Sequence, residues 1–350
     1  MLSGVSATLP KVAVVILNWN GAQLLAQFLP SVIETNYPNF TIIVIDNGST
    51  DDSLLWIAER YPQVQCLALG QNYGFTGGYN RALQQIQTQN FAYWVLLNSD
   101  VAVTPNWLQP MVQLLEKNPK IAACQPKIKS HKQPDLFEYA GAAGGLIDAL
   151  GYPFCQGRVF DTCQTDQGQY QQQSRVFWAS GAALMVRPYL FIQIGGFETA
   201  FFAHMEEIDL CWRLQRANFE VWVCPSAEVF HLGGGTLQAY SPIKTYLNFR
   251  NSIWLLVRNA PWWQLFFILP LRFILDAMAA LQFIVKQQFN MVKAVLKGML
   301  HGYFRIFTLY KLRQRAVIKF VKNDYRFWSL NGVYKGSIVW NYFVRRKTNL

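Results

Sequence analysis

Charge is scarce in this chain. Asp, Glu, Lys and Arg make up 15% of its 350 residues, against about 25% in an ordinary globular domain. Hydrophobic residues reach 52% and the mean hydropathy is +0.10. That balance excludes a disordered chain and argues against a surface turned wholly to water. Acids are scarcest at the C-terminal end, where residues 241–350 hold eighteen Lys and Arg against two acids, Asp276 and Asp324, a net +16. Residues 1–240 hold thirteen bases and eighteen acids, a net −5. A slightly acidic body is joined to a basic, aromatic-rich tail. The six cysteines (Cys66, Cys124, Cys155, Cys163, Cys211 and Cys224) contain no C-x-x-C pair and no metal-like cluster. Buried reduced thiols are therefore expected. A secretory signal is also lacking near the N-terminus: the apolar run Val12 to Leu17 is only strand-sized, which predicts a body in the cytoplasm. No internal repeat and no G-x-G-x-x-G fingerprint are present.

What is there is an alternation. Apolar, β-branched runs at Val12–Leu17, Thr41–Ile45, Val64–Leu69 and Tyr93–Leu97 are interleaved with helical stretches at Ala22–Ile33, Asp51–Arg60, Gly78–Gln87 and Trp107–Glu116. Runs apolar throughout predict strands covered on both faces, and strand–helix repetition predicts an open, mostly parallel α/β sheet. Such sheets bind ligands at the carboxyl ends of their strands. The polar clusters Asn18-Trp19-Asn20, Asp46-Asn47-Gly48-Ser49 and Asn98-Ser99-Asp100 fall at those ends. Residues 126–176 loosen into Gly, Gln and isolated aromatics. Order returns with a strand-like stretch at Phe177–Val186, a helix at about Glu206–Ala217 and a strand at Glu220–Cys224. The composition shifts near Ser241. This predicts a body over 1–240, with halves at about 11–125 and 126–240, and a helical region over 241–350.

Several segments carry chemistry. Asp46 opens the turn Asp46–Asp51, where a carboxylate can accept from a ribose or a base, or where Ser49 and Thr50 simply cap a helix. The stretch Asn72-Tyr73-Gly74-Phe75-Thr76-Gly77-Gly78-Tyr79-Asn80 is glycine-rich and precedes a helix, so its amides can face a diphosphate or merely turn the chain. Asp100 ends a central strand, where one carboxylate suffices for a hard cation that phosphate oxygens and water complete. Glu206-Glu207-Ile208-Asp209 opens a helix beside the apolar Phe201–Met205, surroundings that raise a carboxyl pKa towards a general base. The same acids also suit the helix dipole, and Asp209 can pair with Arg213 at i,i+4. His231 precedes Gly233-Gly234-Gly235-Thr236 and offers an imidazole to a metal.

Taken in order, VAVVILNWNG, VIDNGSTDDS, NYGFTGGYNRAL, WVLLNSDV, SGAALMVRP, GGFETAFFAHMEEIDLCWRL, HLGGGT and YLNFRN resemble the family 2 glycosyltransferases of the GT-A fold, especially their rhamnosyltransferase-like branch. The resemblance covers residues 11–251 and implies that the halves at about 11–125 and 126–240 are the nucleotide-binding and acceptor-side halves. It implies a Rossmann-like, mostly parallel catalytic sheet and an inverting transfer of sugar, with a deoxyhexose such as rhamnose favoured. By the same resemblance, Trp19, Asp46, Asn72, Gly77, Gly78, Asn80, Asn98 and Ser99 contact the nucleotide-sugar. Asp100 is the last acid of a metal-binding D-x-D motif whose first acid is replaced by Asn98, and His231 joins the shell of a divalent Mn²⁺ or Mg²⁺ ion. Glu207 stands at the catalytic-base position, where Asp is commoner, with Glu206 and Asp209 as rivals. Phe177–Val186 and Gly195–Phe202 are expected to help form the acceptor pocket. The alternative is a catalytically weak GT-A-like protein serving as a membrane assembly partner, a reading that rests on Asn98 and Glu207.

The tail segment at 253–285 is apolar but interrupted by Arg258, Pro261, Gln264, Pro270, Arg272, Asp276 and Gln282. A spanning helix needs about 20 predominantly apolar residues, so helices lying in the membrane interface are expected. Trp262, Trp263, Tyr303, Tyr310 and Trp328 suit the headgroup level. The bases from Lys286 to Lys347 suit anionic lipid on the cytoplasmic face. Nucleic acid is not expected as a partner, because it leaves the Phe, Leu and Ile unexplained. A lipid-linked or glycan acceptor would explain why the tail seeks a bilayer.

Overall fold

A computed structural model describes residues 9–233, 241–315 and 325–348. The glycines 234 and 235 and Thr236, expected beside a ligand, lie outside the described residues.

The first half builds as the apolar runs require. Strands β1 (Val12–Asn18), β2 (Phe40–Asp46), β3 (Gln65–Ala68) and β4 (Tyr93–Asn98) are parallel, in the spatial order β3-β2-β1-β4. Helices α1 (Ala22–Ile33), α2 (Ser53–Arg60) and α3 (Gly74–Ile86) supply the crossovers. β1 is buried along almost its whole length because it has a strand on each side and helices on both faces. β3 is the sheet's edge, and its side chains are mostly exposed despite their apolar sequence.

Beyond β4 the sheet becomes mixed rather than mostly parallel. A short β5 (Val101–Val103) leads to α4 (Leu108–Lys117) and the long β6 (Ile121–Ser130). The strand expected across 177–186 is confined to its last four residues. Between it and β6 the chain leaves the sheet for β7 (Gly145–Asp148), β8 (Pro153–Cys155), β9 (Arg158–Val159) and β10 (Thr162–Cys163) before returning as β11 (Ser174–Val176) and β12 (Ala183–Val186). β12 lies antiparallel between β4 and β6. After α5 (Pro188–Gln193) and α6 (Glu206–Arg216), β13 (Glu220–His231) pairs in parallel with β6 and antiparallel with β5 and β11.

The C-terminal helices are α7 (Pro242–Asn259), α8 (Trp262–Val285), α9 (Phe289–Phe304) and α10 (Ile306–Arg315), followed by β14 (Val333–Tyr334). They join the body's core. Trp254, Leu255 and Leu256 of α7 share one buried cluster with Leu96, Leu184 and Trp212, and β14 extends the second sheet beside β7. All six cysteines are free thiols.

α8 is turned inside out. Its polar residues Gln264, Arg272 and Asp276 are buried, whereas Phe266 is 77% and Val285 83% exposed. Arg272 donates to Leu150 O at 3.2 Å, Gly151 O at 3.3 Å and Ser252 Oγ at 2.8 Å, and stacks 3.7 Å over the Tyr152 ring. Asp276 accepts from Tyr152 Oη at 3.0 Å and Tyr303 Oη at 3.3 Å. The middle of α8 is thereby fixed to the body, and its outer face carries Phe266, Phe267, Leu271, Ile274, Met278 and Leu281 towards solvent.

Candidate active site

Register alone brings the first polar clusters together. Asn18 pairs with Asp46 across β1–β2, and Leu17 with Asn98 across β1–β4, so three strand ends lie side by side. Asp46 accepts Ser49 N–H at 3.2 Å, which closes the turn at Gly48. There φ is +79°, and a side chain would strike the backbone of Gln71 and Asn72. Asn47 then organises the next loop: its Nδ2 donates to Asn72 Oδ1 and Gly74 O, both at 3.1 Å, and its Oδ1 accepts Tyr73 N–H at 3.0 Å. Trp19 is half-exposed at the same rim, and Asn98 and Ser99 are partly buried there.

Two residues expected at the nucleotide, Gly78 and Asn80, also make structural contacts of their own. Helix α3 starts at Gly74, not Gly78, so Gly77 and Gly78 lie inside it. A Cβ on Gly78 would fall 2.8 Å from Leu17 Cδ1, so this glycine lets the helix approach β1. Asn80 is consumed by Phe197: its Nδ2 donates to Phe197 O at 2.7 Å and its Oδ1 accepts Phe197 N–H at 2.9 Å.

Asp100 and His231 meet because β5 pairs with the end of β13. Both are buried, with His231 Nε2 3.1 Å from Asp100 Oδ1 and Nδ1 3.1 Å from Glu138 Oε2. Burial opposes protonation of this imidazole, but its hydrogen bond to Asp100 and the adjacent Glu138 carboxylate win and carry its pKa up to about 10. Glu138 lies in the stretch that has no readable pattern, so no signal marked it in advance. Among the described residues no three His, Cys, Asp or Glu side chains form a group able to hold a metal alone. A divalent ion would have to replace the imidazole's proton at Nε2; Asp100 and His231 would then offer it one carboxylate oxygen and one imidazole nitrogen, with phosphate and water completing its shell.

The three acids of α6 separate cleanly. Asp209 is fully buried and saturated: Arg213 Nε donates to it at 2.8 Å, Asn259 Nδ2 at 2.7 Å, and Arg258 Nε lies 2.8 Å away. Burial alone would raise its pKa, yet the two guanidiniums hold it below the usual carboxylate range. The i,i+4 pair with Arg213 is thus present, and Asp209 is not available as a base. Glu206 is 5% exposed; burial, then the charge of Glu207, pushes its carboxyl well above the usual range. Glu207 is partly exposed. Burial pushes its pKa up to about 7, and Oε2 has no hydrogen-bond partner.

Glu207 faces the strand ends. A Cβ on Gly181 would lie 3.8 Å from Glu207 Cβ and 3.6 Å from the Phe75 ring, so Gly181, just before β12, keeps open the space between them. Ala182 O accepts Asn98 N–H at 3.0 Å, which ties that space to the end of β4. The loop before α6 is strained, with φ of +68° at Phe202, +67° at His204 and +73° at Met205. Two residues of α7 hold it. Asn251 Nδ2 donates to the carbonyls of Phe201, Ala203 and His204 at 2.8–3.0 Å, and Arg250 donates to Ala200 O and Phe201 O. Phe202, half-exposed, leans over Gly74.

A sheet whose strand ends gather a nucleotide-type rim, a carboxylate–imidazole pair and a carboxylate of raised pKa is that of a GT-A glycosyltransferase. The profile described as "Glycosyl transferase family 2" matches residues 13–187, and the chain belongs to that family. It is 28% identical over 285 residues to an N-acetylglucosaminyl-diphospho-decaprenol L-rhamnosyltransferase of Mycobacterium tuberculosis, covering 77% of this chain and 90% of that protein. Among solved structures it resembles GalNAc-T7 with UDP, GalNAc and Mn²⁺ (TM-score 0.55, 17% identity, 72% of this chain and 48% of that one). It also resembles the mannosyltransferase PcManGT from Pyrobaculum calidifontis in complex with GDP-Man and Mn²⁺ (TM-score 0.52, 14% identity, 84% and 87%). At these identities the structural likeness speaks for the fold.

Proposed function

We propose that this family 2 glycosyltransferase moves a deoxyhexose such as rhamnose, with inversion, from a nucleotide-sugar to a hydroxyl of a lipid-linked glycan acceptor. The sugar and the lipid carrier follow the mycobacterial relative. The observation that carries the chemistry is Glu207, a carboxyl of raised pKa whose buried Oε2 has no hydrogen-bond partner, beside Gly181 and the end of β4. Its Oε2 takes the proton of the acceptor hydroxyl as that oxygen attacks the anomeric carbon and the bond to the nucleotide diphosphate breaks. A base of this kind supplies about 10²–10⁴-fold, and positioning supplies much of the rest. Trp19, Asp46, Asn72, Asn98 and Ser99 would hold the donor. Asp100 and His231 would hold a divalent Mn²⁺ or Mg²⁺ ion, with Glu138 fixing the imidazole from behind. When bound, such an ion offsets the charge that builds on the leaving diphosphate.

The exposed apolar face of α8, continued by Phe289, Leu296, Leu300 and Phe304 of α9, would dock on the cytoplasmic face of a membrane as an interfacial element. α8 is long and apolar enough to cross a bilayer. Because Arg272 and Asp276 bind it to the body at mid-length, it is read as lying on the membrane. The decisive assay supplies dTDP-rhamnose and N-acetylglucosaminyl-diphospho-polyprenol to the full chain with Mn²⁺ or Mg²⁺. Rhamnosylated lipid is expected; binding of donor with neither hydrolysis nor transfer to any lipid acceptor would favour the assembly-partner alternative.

A further inference from the structure

The bases of α9 are not scattered. Lys293, Lys297, His301 and Arg305 recur at i+4 and form one row, an arrangement that costs an isolated helix stability through like-charge repulsion. Two glycines bring this row against α7. A Cβ on Gly298 would lie 2.9 Å from Phe249 Cβ and 3.0 Å from Tyr246 O, and one on Gly302 would lie 3.3 Å from Ile253 Cβ. Backbones this close set Tyr246 and Arg250 directly over the basic row. Tyr246 Oη is 2.7 Å from His301 Nδ1, Arg250 donates to the same hydroxyl at 3.5 Å, Arg305 lies 3.4 Å from His301 Nε2, and Lys297 Nζ is 5.3 Å from the Tyr246 ring. Burial, then the charges of Arg305, Lys297 and Arg250, hold His301 below its usual pKa. Among the described residues no carboxylate comes within 4.0 Å of Arg250, Lys297 or Arg305. Three cations and a hydrogen-bonding Tyr–His pair converge with no acid to answer them.

The place of the cluster says which anion it takes. On one side lies the apolar face of α9, with Leu296, Leu300 and Phe304 more than half exposed. On the other, Arg250 donates to Ala200 O and Phe201 O, the loop that leads to Glu207. An anion seated here joins a lipid tail to a group directed at the candidate base. We infer that the cluster of Arg250, Lys297, His301 and Arg305 binds the diphosphate of the lipid-linked acceptor, with the lipid along α9 and the sugar towards Glu207. This rests on the lipid-linked acceptor proposed above and assigns the acceptor's phosphates a site of their own, apart from the donor's. A phospholipid headgroup shares the chemistry, but a generic lipid gains nothing from contact with the loop that carries the base.

The test uses the full chain in detergent micelles with geranylgeranyl diphosphate as probe, and vesicles containing phosphatidylglycerol as the competing source. Lys297 and Arg305 are exposed, so Lys297→Gln/Arg305→Gln removes charge without disturbing packing. Arg250→Lys keeps the charge and loses the guanidinium's donors to Asn251, Ala200 O and Phe201 O, which separates the tie to the loop from the charge of the cluster. The double variant is expected to raise the Kd for the probe about tenfold or more, as loss of charge-assisted hydrogen bonds requires. The matched surface pair Lys117→Gln/Lys120→Gln should leave it unchanged. An unchanged Kd, an equal change in the matched pair, absence of probe binding by the native chain, or loss of vesicle flotation with unchanged probe affinity would each overturn the assignment. The last outcome would identify a phospholipid surface instead. If the native chain transfers no sugar to a lipid diphosphate while the double variant still loses the probe, the glycosyl-transfer reading fails and the site stands.

Discussion

Strand β1 and helix α8 are both apolar segments punctuated by polar residues, yet they dispose of them in opposite ways. β1 buries Val12 to Ile16 between two strands and two helical layers, and delivers Asn18 and Trp19 to the rim where β2 and β4 also end. α8 buries Arg272 and Asp276 and leaves Phe266, Phe267 and Leu271 outside. In water the second arrangement wastes both the apolar area and the charges. It becomes sensible if, as proposed, the outer face meets lipid while the buried pair fastens the helix to the body. The lesson is that hydrophobicity alone does not say which way a segment faces; the partner of its polar residues does.

That contrast breaks in a graded series. Replacing Phe266, Phe267 and Leu271 together by Ser should remove on the order of 5 kcal/mol of apolar transfer energy and abolish flotation with phosphatidylglycerol-containing vesicles. Retained flotation would show that lipid does not cover this face. Arg272→Met leaves Asp276 buried without its counter-charge and should cost about 3–5 kcal/mol of stability, read as a lower unfolding midpoint in detergent. Asn251→Ala strands three carbonyls and should cost about 1–3 kcal/mol. Because the strained Phe202–Met205 turn would relax, it should lower kcat more than it raises the donor KM, and a kcat equal to native would refute the positioning role. The smallest effect is one of pH. A base of pKa about 7 is active only when ionised, so kcat/KM should fall about tenfold per unit below pH 7. The raised pKa moves this limb up from the ordinary carboxylate range, and a limb near pH 4.5 would contradict it.

Much of the body was legible. Apolar runs ending in Asn, Asp or Ser located β1, β2 and β4 and the rim they share, because parallel register carries equal strand ends to one side. The antiparallel β12 was not legible, since four apolar residues carry no direction and the excursion before it has no period. Asp46 and Asp100 stand out in the sequence by their positions at strand ends. Glu138, Asn47 and Asn251 do not stand out, because each acts across more than twenty residues through contacts that no spacing encodes. The exclusion of Asp209 followed the same pattern: Arg213 at i+4 was visible, but Arg258 and Asn259 arrive from α7. The composition break near Ser241 was real as chemistry. The packing crosses it, with Trp254 in the body's core and Asn251 at the loop before Glu207.

Glu207→Gln in the full chain isolates the base, with donor affinity and sugar transfer measured on the same preparation. Donor binding should stay native while transfer falls by about 10²–10⁴-fold, since the amide keeps the shape of the carboxylate and cannot accept the acceptor's proton. Near-native transfer with donor binding intact would contradict that role and move the base elsewhere in the cleft.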